Sequence, residues 1–87
     1  MKTNKQIIIE KIKSEGYEIG IYDKLIDKLN KTNLKKVLDN IRYTSDTKIC
    51  INRKPFIVEI SEVDNEIDFN IIPLYKYEDM YGTWEDF

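Results

Sequence analysis

A chain of 87 residues with 41% apolar and 34% charged side chains has material for one hydrophobic core, which excludes a multidomain enzyme. Aromatics at 11% set it apart from a disordered tail, and no apolar run exceeds three residues, as at Ile7-Ile8-Ile9, against the roughly 20 a bilayer span needs. The single cysteine, Cys50, allows no internal disulfide, and the absence of histidine removes the commonest catalytic base and metal ligand.

The net charge of −2 hides a division. Residues 1–54 carry 13 Lys/Arg against 7 Asp/Glu, a net of +6, while residues 55–87 carry Lys76 against 9 acids, a net of −8. Two readings stay open: a one-signed surface that steers a partner, or two halves that pack together and neutralise one another. The N-terminus lacks the apolar stretch and small-residue cleavage site of a signal peptide, so a cytoplasmic location is expected. The 15 Ile, 12 Lys and 7 Asn with no Ala suit an A/T-rich gene, as in a low-G+C bacterium or a phage or mobile element within one.

In chain order, Thr3 and Gln6 form a capping box that opens a helix over about 4–15. Ile8, Ile9 and Ile12 give it an apolar stripe, Lys11 and Lys13 suit its last turn, and Gly16 suits a left-handed cap. Tyr17 to Ile21 alternates as a short edge strand. Tyr22, Leu25, Ile26 and Leu29 predict a second amphipathic helix. After Asn30-Lys31-Thr32-Asn33, the stripe Leu34, Val37, Leu38 and Ile41 predicts a third. The span 4–43 therefore reads as mainly helical.

From 47 to 72 the period changes to two. Ile49 and Ile51, then Phe56, Val58 and Ile60, then Ile67, Phe69 and Ile71 predict three strands. Turns at Arg53-Lys54-Pro55 and Asp64-Asn65 make them consecutive antiparallel hairpins, and Pro73 ends the ladder of the third or places it at an edge. The expected fold is one α+β domain over 1–87, with about three helices packed on a three-stranded antiparallel meander and an acidic, aromatic tail at 76–87.

No constellation for catalysis is evident, and neither cofactor nor metal is expected. Cys50 has no histidine partner and reads as a small structural apolar residue. Glu59, Glu62 and Asp68 lack calcium-loop spacing, and Gly16, Gly20 and Gly82 are too scattered to cradle a phosphate. The acids Glu59, Glu62, Asp64, Glu66 and Asp68, joined by Glu78, Asp79, Glu85 and Asp86, read as a run that can stand in for a phosphate track. The tail adds Met80, Tyr81, Trp84 and Phe87. Met80, Trp84 and Phe87 are spaced like the anchors of a short amphipathic helix, or else fold back over the open sheet face.

These features predict a non-catalytic protein-binding module. The expectation is a phage or mobile-element accessory protein that inhibits a host factor, comparable in size, charge and composition to inhibitors of CRISPR effectors or nucleases. Its partner would be a protein with a basic nucleic-acid-binding groove, and no membrane is involved. The alternative is a winged-helix-like DNA-binding regulator reading with helix 33–43, through Lys31, Lys35, Lys36 and Arg42, with Arg53 and Lys54 at the wing. An antitoxin or immunity protein is a third reading.

Overall fold

The computed structural model describes residues 1–85; Asp86 and Phe87, two of the expected contact residues, lie outside them. Helix α1 spans Asn4–Ser14 and opens on the predicted capping box: Thr3 Oγ1 accepts from Gln6 N, and Gln6 Oε1 accepts from Thr3 N. Its other end is a Schellman motif. Gly16 at φ 87° lets its own N–H reach Lys13 O while Tyr17 N–H reaches Ile12 O, which satisfies carbonyls the helix leaves open. Helix α2, Lys31–Ile41, is capped by Asn30, whose Oδ1 accepts from Asn33 N at 2.9 Å.

Four strands form an open mixed sheet: β1 Glu18–Ile19, β2 Thr47–Ile51, β3 Lys54–Val63 and β4 Glu66–Pro73, in the order β1-β4-β3-β2. The meander β2-β3-β4 is antiparallel as expected, whereas β1 lies parallel to β4, so the sheet has four strands and mixed sense rather than three. Both hairpins turn through two residues at positive φ, Asn52 (51°) with Arg53 (65°) and Asp64 (51°) with Asn65 (66°). That is the type I′ condition, whose twist matches the strands. The first turn therefore sits at Asn52-Arg53, one residue earlier than predicted, and Lys54-Pro55 already belong to β3, with Pro55 opposite Cys50.

The predicted second helix is instead a five-residue 3₁₀ helix, Lys24–Lys28. The chain before it is committed to the edge of β4. Gly20 N donates to Ile67 O, Phe69 N to Ile21 O, and Ile71 N to Asp23 Oδ2. Asp23 Oδ1 also caps Leu25 N, so Tyr22 is held outside the helix whose stripe it seemed to begin. These bonds cover the donors and acceptors that an open β4 edge would expose.

Helices α1 and α2 and the 3₁₀ helix cover one face of the sheet. Ile8, Ile12, Ile26, Val37 and Ile41 pack there against Ile49, Val58, Ile60, Ile67 and Phe69. Each side chain of this kind gains about 1.5–3 kcal/mol on full burial. Leu38, read as core from the stripe, is only half-buried at the margin, while Val37 and Ile41 are fully enclosed. Asn33 is enclosed beside them, and its Nδ2 donates to Cys50 O at 2.8 Å, tying α2 to the outer edge of β2. Cys50 itself is exposed rather than structural, because its parity turns it away from the core.

A third helix, α3 (Leu74–Tyr81), follows Pro73 directly and packs on β3 and β4. Ile57 shows which face it covers. Ile57 is completely buried yet stands outside the core cluster, because its parity is opposite to that of Val58 and Ile60. The helix thus lies over the back of the sheet and takes up the first part of the acidic, aromatic tail expected at 76–87. It ends at Gly82 (φ 93°), whose N–H returns to Glu78 O. Met80 and Trp84 are consequently not on one helical face. Trp84 folds back, with its ring 5.4 Å from that of Tyr77 in edge contact and its backbone N–H donating to Glu78 Oε2.

Candidate functional site

The sheet's pleat sorts the acidic residues. On the back face, Glu59 stands opposite Asn70, Ser61 opposite Asp68 and Val63 opposite Glu66, while the parallel register puts Glu18 beside Glu66. Asp46, just before β2, joins them at the lip: its Oδ1 accepts from Ile60 N at 3.2 Å where the β2 ladder ends. Glu18 and Asp46 were not among the sequence-predicted residues; the pairing of Glu18 with Glu66 and the bond from Ile60 N to Asp46 bring them to this face. Glu62 and Asp64 belong to the hairpin instead. Glu62 Oε1 accepts from Asn65 N at 2.9 Å, and Asp64 is the first central residue of the turn.

Glu59 Oε1 takes a hydrogen bond from Asn70 Nδ2 at 3.0 Å, and Asp68 Oδ1 takes one from Ile21 N at 2.7 Å. The second bond depends on Gly20, because a Cβ there would collide with the Asp68 carboxylate. These donors are amides, which orient the carboxylates and leave their charge in place. Tyr77 lies above them. Burial, the charges of Asp46 and Glu59, and a hydrogen bond with Asp46 all raise its hydroxyl pKa and keep it protonated.

Between α3 and the β1 side of this face runs an open groove of about 420 Å³, lined by Glu59, Ser61, Asp68, Asn70, Tyr81 and the edges of Ile21 and Phe69. Ile21, Val63, Met80 and Tyr81 are large apolar side chains left exposed. The carboxylates are therefore accompanied by apolar contact area, as in a protein interface. Asp79 is exposed on α3, whereas Glu78 is half-buried and engaged by Trp84. Glu85 lies apart, in a cleft of about 700 Å³ with Lys36, Asn40, Asp46, Lys48 and Trp84.

The basic residues proposed to read DNA lie on the helical side and at the β2–β3 hairpin and are dispersed, whereas Lys48, paired with Ile57, and Lys76, on α3, lie on the acidic side. Lys31, Lys35 and Lys36 are exposed on α2, and Lys35 is already paired with Asp39 at 2.8 Å. Arg42 ends the helix with its guanidinium 5.8 Å from the Tyr43 ring centre. Arg53 and Lys54 lie at the hairpin tip, near the Asn33 end of α2, so roughly 13 Å of helix separates them from Arg42. The trihelical unit of a winged helix is not formed, since its middle member is the short 3₁₀ helix.

The layer between the helical side and the back of the sheet is apolar. Among the described residues, no three carboxylates or thiols converge as a metal site, and no helix is long and apolar enough to cross a membrane. Comparison with protein-family models, curated proteins and solved structures gives no match.

Proposed function

We propose that this protein is a non-catalytic binding module that presents the acidic back of its sheet to a basic, nucleic-acid-binding surface of another protein, as an inhibitor from a phage or mobile element would. The observation that carries this reading is the gathering of Glu18, Glu59, Glu66 and Asp68 on one sheet face, away from the lysines of the helical layer. Opposite charge at such a face accelerates encounter with a basic groove, and the adjoining Ile21, Met80 and Tyr81 supply the contact area that charge alone does not.

The test is capture from lysate of a low-G+C bacterium followed by competition. Proteins retained by the chain should be released by duplex DNA and should not be retained by a Glu59→Lys/Glu66→Lys variant. Retention indifferent to both, or tight sequence-dependent binding of duplex DNA by the chain itself, overturns the proposal.

A further inference from the structure

We infer that the groove between Tyr81 and β4 is an arginine-binding site: the partner's guanidinium enters it in preference to a lysine ammonium. This rests on the acidic-face reading and specifies the chemistry of its partner. Glu59 and Asp68 lie on the same face of adjacent strands as diagonal neighbours, since Glu59 pairs with Asn70 and Asp68 with Ser61. The backbones of diagonal neighbours stand roughly 7–8 Å apart, close enough for their two carboxylates to reach one planar guanidinium between them.

The carboxylates are oriented for this. Glu59 is held through Oε1 by Asn70 and Asp68 through Oδ1 by Ile21 N, which leaves Glu59 Oε2 and Asp68 Oδ2 without a hydrogen-bond partner among the described residues. Tyr81 walls the groove, and its ring is steadied by that of Tyr77 at 4.9 Å. A guanidinium stacks on such a ring while bonding in its own plane to carboxylates. An ammonium is a compact, strongly hydrated charge and gains less from this flat arrangement.

Titration of the 15N-labelled chain with hexa-arginine and with hexa-lysine at low salt separates the possibilities, because both peptides carry the same charge. The expected result is a preference for hexa-arginine of about fivefold or more, with shifts centred on residues 59, 61, 68, 70 and 81. Glu59→Gln and Asp68→Asn keep the acceptors that Asn70 and Ile21 use, so the chain stays folded, as its spectrum verifies, and the preference should fall. Tyr81→Ala should abolish it while hexa-lysine binding persists. Equal binding of both peptides, spread over the face, overturns the arginine site and leaves the acidic-face reading standing. Binding of neither peptide, up to millimolar concentration, overturns both.

Discussion

Ile57 is the most informative residue for the architecture, because it is fully buried on the sheet face that three alternating strands alone would leave in water. Replacing it with alanine removes three carbons, a transfer loss of about 2.4 kcal/mol at about 0.8 per carbon. A cavity beneath α3 adds to this, giving about 2.5–4 kcal/mol, within the range of other Ile→Ala core changes. For a domain of this size such a loss lowers Tm by more than about 10 °C. Val63 is the internal control: it has the same parity on the same strand but is 53% exposed beyond the helix, so Val63→Ala should cost less than about 1 kcal/mol. Urea denaturation read by circular dichroism gives both values. Equal, small losses would show that α3 does not cover the sheet and would refute the two-sided packing.

Gly20→Ala should destabilise the fold by about 1–3 kcal/mol, because the new methyl displaces the Asp68 carboxylate from Ile21 N; the same denaturation measurement checks it. Trp84→Ala should cost about 1–2 kcal/mol by removing the edge contact with Tyr77, seen as a lower Tm. Burial, then the hydrogen bond to Asp27 and its charge, raises the pKa of Tyr22, so the folded chain holds that proton more tightly than the unfolded one. Its contribution is complete below about pH 10 and is lost as pH rises beyond that value, so wild type should lose more stability between neutral pH and pH 11 than Tyr22→Phe does.

Local signals made much of this fold legible. Thr3 and Gln6 announced α1, Gly16 its end, and the alternation from Ile49 to Ile71 the three long strands, because each depends on neighbours within a few residues. The failures came where distant segments compete for the same backbone. Tyr22, Leu25, Ile26 and Leu29 have helical spacing, yet the β4 edge claims Ile21 O and Asp23 Oδ2, and the helix shrinks to Lys24–Lys28. The alternation over Tyr17–Ile21 marked the edge strand β1, but its parallel pairing with Glu66–Ile67, nearly fifty residues away, leaves no local trace. The proline before Leu74 marked a strand end without revealing that the following aromatics fold as a helix over Ile57.

The candidate site was legible in part for a related reason. Strand parity places Glu59, Glu66 and Asp68 together, but Glu62 and Asp64, adjacent in the acidic run, are consumed by the hairpin. Glu18 and Asp46 belong to the basic half by sequence and join the acidic face only through pairing with β4 and β3. A charge run counted along the chain therefore differs from the charge a partner meets.

Carbodiimide labelling of surface carboxylates, quantified by mass spectrometry on the free chain and on its complex with the captured partner, tests the central claim most directly. Binding through the sheet should protect Glu18, Glu59, Glu66 and Asp68 while Glu10 and Asp39, on the helical side, label as before. Protection of Glu10 and Asp39 with the sheet carboxylates still reactive would contradict it.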